Sequence, residues 1–283
     1  MMLEEFARAK VNLTLHITGQ RENGYHMLDS LVMFASTGDI LSFDHATDLS
    51  LRIDGPEARA LPVENNSILS AAHNLDSTKG ASIRLTKHLP VSSGIGGGSA
   101  DAAAAYRGLS KLWNLPEPPL SQDFCARISR IGADVPVCVF SRTTRMSGIG
   151  ERLEFLTHLP MLHAVLVNPR VAVSTQAVFK TVTNKSNPAM GELPSFFSGQ
   201  ASFISWLSQN RNDMQSAAMS LEPAISDTLN AISSSHACQL ARMSGSGATC
   251  FGIYPDAGAA ENAASQISGK HSDWWVQSCT LGA

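Results

Sequence analysis

The chain has 283 residues, a formal net charge of -3, and 43% hydrophobic against 16% charged residues, the balance of an ordinary globular protein of one large or two medium domains. No basic block points to nucleic acid, no apolar run approaches the ~20 residues of a membrane span, and the opening Met-Met-Leu-Glu-Glu-Phe-Ala-Arg carries acid where a secretory signal needs base. Five widely spaced cysteines (Cys125, Cys138, Cys238, Cys250 and Cys279) lack metal-ligand pairing and read as buried thiols of a reduced, cytoplasmic protein.

Residues 6–19 read as a strand, because Val11, Leu13, Leu15 and Ile17 alternate with Asn12, Thr14, His16 and Thr18. Lys10 and Asn12 fall on its polar face, where a lysine is ordinarily solvated. Asn23-Gly24 signals a turn. Tyr25 and His26 follow it, either as plain strand residues or as a platform for a planar ligand. Residues 31–34, 40–43 and 49–53 are short strands, Asn65-Asn66-Ser67 caps a helix whose apolar face is Ile68, Ala71, Ala72 and Leu75, and residues 81–86 form another strand.

That strand delivers the chain to Leu-Pro90-Val-Ser-Ser-Gly94-Ile95-Gly96-Gly97-Gly98-Ser99-Ala-Asp101. Glycine lets a backbone approach a ligand closely. Strong helix formers follow, with Ala102, Ala105, Leu109 and Leu112 at helical spacing and Ser99 placed as the N-cap. A glycine loop that opens into a helix presents free N–H groups and the positive end of the helix dipole, which is a phosphate site. It is no P-loop, since Gly98 is followed by Ser-Ala-Asp, and Ser99 stands where a dinucleotide fingerprint needs its third small residue. Without a His-Arg-Asp loop or Asp-Phe-Gly, protein kinases are excluded.

Ser121 caps a further helix with Phe124, Ile128 and Ile131 on its inner face. Residues 132–140 (Gly-Ala-Asp134-Val-Pro136-Val-Cys-Val-Phe) read as an apolar strand, with Val135 held extended by Pro136. Asp134 at its entry is either a turn residue or a catalytic base. The pattern restarts near 156–159. A strand over 162–167, a helix capped by Ser174-Thr175, a polar stretch of low order over 183–200 and helices over 203–221 and from Pro223 follow. Then come a strand over 237–243, a second glycine turn (Met243-Ser-Gly245-Ser246-Gly247), and strand, helix and strand to the end, a ferredoxin-like order.

Three of these motifs, in order, resemble the GHMP kinases, the superfamily of galactokinase, homoserine kinase and mevalonate kinase: Ala9-Lys10-Val-Asn12-Leu, the glycine loop, and Met243-Ser-Gly245-Ser-Gly247. Gly24-Tyr25-His26, Gly132-Ala-Asp134-Val-Pro136 and Val173-Ser-Thr175 with Phe179 resemble the branch that phosphorylates a cytidine diphosphate-linked methylerythritol in the non-mevalonate isoprenoid route. The resemblance implies an α+β, two-domain fold, with a ribosomal-protein-S5-like domain over 1–157 and a ferredoxin-like domain over 158–283. It implies ATP as co-substrate with Mg2+, a small-molecule partner but no nucleic acid or membrane, and a monomer or weak homodimer. Carried over by position, Asp134 is the base and Lys10 the lysine beside it, a neighbour that favours a carboxylate's charged form. Asn65 contacts adenine, and Pro90, Gly94, Ile95, Gly96, Gly97, Gly98 and Ser99 hold the triphosphate. Tyr25 and Phe179 sandwich the cytosine and His26 hydrogen-bonds it, while Asn12, Thr175, Gly245 and Ser246 face the substrate. Ala100 and Val32 depart from the usual serine and phenylalanine. The metal ligands are left open. Another small-alcohol kinase of the superfamily and a non-catalytic nucleotide-binding protein are the alternatives.

Overall fold

One strand, β3 (His26–His45), is the spine of the molecule. The fold is a computed structural model that describes residues 3–22, 24–58, 61 and 66–282. β1 (Leu3–Asn12) and β2 (His16–Gln20) pair antiparallel with successive halves of β3, so the single strand expected over 6–19 is broken at residues 13–15. The two short strands expected at 31–34 and 40–43 are one continuous element instead. On its other edge β3 carries β5 (Ala81–Thr86), which pairs in parallel with β4 (Leu49–Asp54), and β6 (Thr144–Gly148), which turns into β7 (Arg152–Phe155).

Between Arg8↔Gly38 and Lys10↔Phe34 the register of β1 on β3 shifts, leaving residues 35–37 of β3 opposite Ala9 alone. Such a bulge frees backbone from the ladder. Ala35 uses that freedom to pair with Leu281 of β11 (Trp275–Leu281), which joins the N-terminal sheet to the C-terminal one. The C-terminal strands run β11, β8 (Leu162–Asn168), β10 (Cys250–Tyr254) and β9 (Leu240–Met243), the 4-1-3-2 order of a ferredoxin-like unit. Helices α8 (Ala224–Ser233) and α9 (Ala257–Lys270) pack on that sheet. The three shorter helices of this half are α5 (Thr175–Thr181), α6 (Gln200–Ser208) and α7 (Gln215–Leu221).

In the N-terminal half, α2 (Gly97–Leu112) lies against the sheet and α1 (Ser67–Leu75) packs on α2. The run Ala102 to Ala105 is buried on every side, because alanine lets the helix be surrounded by sheet and by neighbouring helices without voids. After α3 (Gln122–Ile128), residues 135–140 form helix α4 (Val135–Phe140), which corrects the strand expected there. The β-branched run suggested a strand, yet all-round burial suits a short core helix equally, and Pro136 in a first turn gives up an N–H that has no intrahelical partner. The stretch 183–199 has no helix or strand, as expected. It is nevertheless tied down, since Asn187 N–H donates to the Ile17 carbonyl at 2.9 Å and Met190 N–H to Asp29 Oδ2 at 3.0 Å. No helix among the described residues is long and apolar enough to cross a membrane.

Where α2 crosses β3, Gly108 lies so close to the buried Phe43 that an added Cβ would stand 2.3 Å from Cε2 of the ring. Gly108→Ala gains about 1 kcal/mol of helix propensity but overpacks a rigid core, at a cost of about 1–3 kcal/mol. The thermal midpoint falls while kcat per folded molecule is unchanged; an unchanged or raised midpoint contradicts this packing.

Candidate active site

The glycine loop and the second glycine turn meet face to face. Ser244 Oγ donates to the Gly94 carbonyl at 3.2 Å, and Thr249 N–H donates to the Ser93 carbonyl at 3.0 Å. A Cβ on Gly94 would stand 2.5 Å from the Gly247 carbonyl oxygen, and one on Gly245 2.7 Å from that of Gly94, so neither turn tolerates a side chain there. Gly96, with φ +66°, turns the chain into α2 and is its N-cap. This corrects the expected cap: Ser99 lies inside the helix, and no side chain caps its start. The first-turn N–H groups of α2 therefore face a cleft of about 660 Å³ between the two halves of the chain. Pro90, Gly94, Gly97, Gly98 and Ser99 line it on the helix side, and Ser67 Oγ secures the Gly98 carbonyl at 2.8 Å. Ile95 turns its side chain into the core; its carbonyl accepts the Lys10 N–H at 2.9 Å.

At the floor, Lys10 Nζ lies 2.8 Å from Asp134 Oδ2 and donates to Asn12 Oδ1 at 2.6 Å. Lys10 is 3% exposed, Asp134 30%. The ammonium is thus sequestered while the carboxylate can reach a substrate. Gly96 makes the arrangement possible, since a Cβ there would stand 3.2 Å from Lys10 Cε. The solvated-lysine reading of residue 10 gives way to burial. Burial comes from the loop and α4, which close over a face that is polar in sequence.

A second buried lysine was not singled out from the sequence. Lys87 Nζ lies 2.6 Å from both Asp39 Oδ2 and Asp101 Oδ2, and all three side chains are buried. Asp39 Oδ1 also accepts the N–H groups of His88 and Leu89, at 2.6 and 2.8 Å. This cluster joins β3, the entry to the loop and the second turn of α2. Asp101 Oδ1 has no partner. Burial pushes the Asp101 carboxyl up to about 8, against the pull of Lys87 and with the help of Asp39. The missed signal was a carboxylate four residues before Ala105, in the same buried stripe of α2. A buried acid calls for a cation.

Across the cleft, Thr175 Oγ1 and Ser246 Oγ lie 2.8 Å apart. Phe179 and Gly245 line the same wall. His26 stacks on Phe179 at 4.3 Å with 11° between the rings. Its Nε2 is buried with no partner, and burial, followed by Lys185, lowers its pKa, so it is a neutral ring with a free polar atom. Tyr25 is 60% exposed, and neither it nor His26 is among the residues that line the cleft. Asn65, and Asn23 of the expected turn, lie outside the described residues.

Residues 66–142 match the GHMP kinases N terminal domain and residues 198–273 the GHMP kinases C terminal domain. The chain is 50% identical to a 4-diphosphocytidyl-2-C-methyl-D-erythritol kinase from Roseobacter denitrificans, over 100% of this chain and 94% of that one. A kinase of the same name from Ruegeria pomeroyi is also 50% identical, over 97% of this chain and 98% of its own. A solved 4-(cytidine 5'-diphospho)-2C-methyl-D-erythritol kinase superposes with a TM-score of 0.75 at 29% identity, over 99% of both chains. A homoserine kinase from Cytophaga hutchinsonii shares the fold, with a TM-score of 0.67 at 17% identity over 99% of this chain and 94% of its own.

The Asp101 shift carries a sign. A carboxyl raised from 3.8 to about 8 on folding stabilises the fold fully below its unfolded value, and that stability is lost as pH rises toward about 8. Asp101→Asn removes this dependence. The thermal midpoint of the variant should therefore gain on the wild type as pH rises from 5 to 8; a constant difference, or one of opposite slope, would show that Asp101 is not the strained member of the cluster.

Proposed function

The chain belongs to the 4-diphosphocytidyl-2-C-methyl-D-erythritol kinase family of GHMP kinases and is an ATP-dependent small-molecule kinase, and we propose that it transfers the γ-phosphoryl group of ATP to the 2-hydroxyl of 4-diphosphocytidyl-2-C-methyl-D-erythritol, a step of the non-mevalonate isoprenoid route. The observation that carries this reading is the accessible Asp134 carboxylate, 2.8 Å from a buried ammonium and beside the start of α2.

Phosphoryl transfer depends mostly on positioning and charge stabilisation. The N–H groups of Gly97, Gly98 and Ser99 and the positive end of α2 hold the triphosphate without a side chain that must move. A tertiary alcohol is a weak nucleophile, and Asp134 takes its proton as the oxygen attacks. Lys10 has three N–H donors. One goes to Asn12 and one to Asp134, which leaves the third for an oxygen of the transferring group. Thr175, Ser246 and Asn12 orient the methylerythritol. Phe179 and Tyr25 take the two faces of the cytosine, and His26 hydrogen-bonds its edge. Asn65 contacts the adenine. Binding the remote base orients the reacting hydroxyl.

Residues 1–157 and 158–283 are the two domains in this reading, with the reaction in the cleft between them. The donor set fits a magnesium ion that arrives with the nucleotide. Asp134 is the acidic side chain on the cleft, and no group of three or more His, Cys, Asp or Glu that could hold a metal occurs among the described residues. Mg2+ typically takes one or two carboxylates plus substrate phosphates; with Asp134 engaged as the base, the Ser99 hydroxyl and the nucleotide's own phosphates would hold it. Bound there, it would neutralise charge on the β- and γ-phosphates. A cytoplasmic protein, acting as monomer or weak homodimer without nucleic acid or membrane, completes the proposal.

The test is ADP release from ATP-Mg2+ with a panel of small alcohols. The cytidine diphosphate-linked methylerythritol should give the highest kcat/KM, and Asp134→Asn should lower kcat about 10²–10⁴-fold with ATP still bound. Faster turnover of homoserine or mevalonate would favour another kinase of the superfamily. No turnover with any alcohol would favour a non-catalytic nucleotide-binding protein, and a near-normal kcat in Asp134→Asn would remove the carboxylate from the reaction.

A further inference from the structure

Ser30 does not itself line the cleft and is fully buried in β3, behind Asn12, which does. Its single hydroxyl proton is donated to the Thr14 carbonyl at 2.5 Å. Thr14 lies in the break between β1 and β2, so this carbonyl has no place in the strand ladder, and the Thr14 hydroxyl pins the chain by accepting the Leu31 N–H at 3.0 Å. With its proton committed, Ser30 Oγ can only accept. It accepts from Asn12 Nδ2 at 2.8 Å. The amide of Asn12 therefore has its NH2 toward Ser30 and its Oδ1 toward Lys10 Nζ, 2.6 Å away. A reversed amide would set N–H donors against an ammonium and a carbonyl oxygen against a hydroxyl oxygen that has no proton to offer. In a site with Asn12 at 1% and Ser30 at 0% exposure, water cannot relieve that conflict.

We infer that Ser30 is a positioning residue for phosphoryl transfer: its hydroxyl fixes which end of the Asn12 amide meets Lys10, and so fixes where the Lys10 ammonium points relative to Asp134. The polarity runs one way along the chain of contacts, from the Thr14 carbonyl through Ser30 O–H and Asn12 N–H to Asn12 Oδ1 and the Lys10 ammonium. Take away the hydroxyl, and the amide loses the contact that distinguishes its two ends. Lys10 then loses its fixed acceptor beside the base, although ATP still meets every group that binds it and the acceptor alcohol keeps Thr175, Ser246 and the cytosine contacts. The effect falls mainly on turnover, with at most a small change in acceptor binding through Asn12. This inference rests on the phosphoryl-transfer reading above.

The experiment compares Ser30→Ala with Ser30→Thr, which keeps the hydroxyl. Turnover is normalised to folded, ATP-binding protein, and the solvent exchange of the Asn12 side-chain amide protons is followed by NMR. Ser30→Ala should lower kcat about tenfold or more, with KM for both substrates within about threefold of wild type. Ser30→Thr should restore most of kcat, and the Asn12 amide protons should exchange faster only in the alanine variant. A folded Ser30→Ala with normal kcat, a loss of kcat matched by lost folded fraction, or a threonine variant no better than alanine would each overturn the inference. If Ser30→Ala does not fold, Ser30→Cys keeps the volume with only a weak donor: reduced kcat at unchanged KM supports the assignment, and wild-type kcat overturns it. A wild type without kinase activity would sink the phosphoryl-transfer reading, and the exchange comparison would then decide the Ser30–Asn12 contact on its own.

Discussion

Almost everything in the cleft depends on burying the ammonium of Lys10 beside one carboxylate. A buried charge is tolerated only with a counter-charge and with hydrogen bonds to its remaining donors. Meeting that demand ties together elements far apart in sequence. β1 supplies the lysine and Asn12, and the glycine loop accepts the Lys10 N–H through the Ile95 carbonyl. The head of α4 supplies Asp134. Ser244, from the second glycine turn, accepts the Asn12 N–H at 3.0 Å and reaches the Gly94 carbonyl. The C-terminal half thereby holds the loop as well as walling the cleft.

Behind the loop, the Asp39–Lys87–Asp101 cluster faces a different electrostatic problem. Two carboxylates on one ammonium would leave a net negative charge close to the proposed triphosphate site. Burial raises the Asp101 carboxyl, which favours its neutral form and lessens that charge. The helix dipole and the loop N–H groups can then act on a nucleotide without an opposing field. The cluster also anchors both ends of the loop, through the His88 and Leu89 N–H groups before it and Asp101 after it.

The parts of this site legible in sequence were those that local chemistry dictates. Gly94 to Gly98 before an alanine-rich run announces a glycine loop that opens a helix, and the structure places that helix start on the cleft. The alternating strands and the ferredoxin-like order followed from period and spacing. Long-range closure was less legible. Lys10 looked solvated because a strand's polar face usually is, and only the loop and α4 folding over it make it buried. The apolar run through Val135 and Val137 carries no strong period, so short core helix and strand could not be told apart by pattern, and Pro136 is compatible with either. Lys87 and Asp39 lie 48 residues apart, and nothing local marks them as partners. Of the three, only Asp101 gave a local hint, by standing in an apolar helical stripe.

If Lys10 and Asp134 work as one unit, the decisive measurement is a double-mutant cycle on kcat with Lys10→Met, Asp134→Asn and the two combined, each normalised to folded, ATP-binding protein. The account predicts that the double variant is about as slow as the slower single one, since losing either member already disables the pair. Losses that multiply in the double variant would mean that the lysine and the carboxylate act independently, and would contradict the claim that their 2.8 Å contact organises the site.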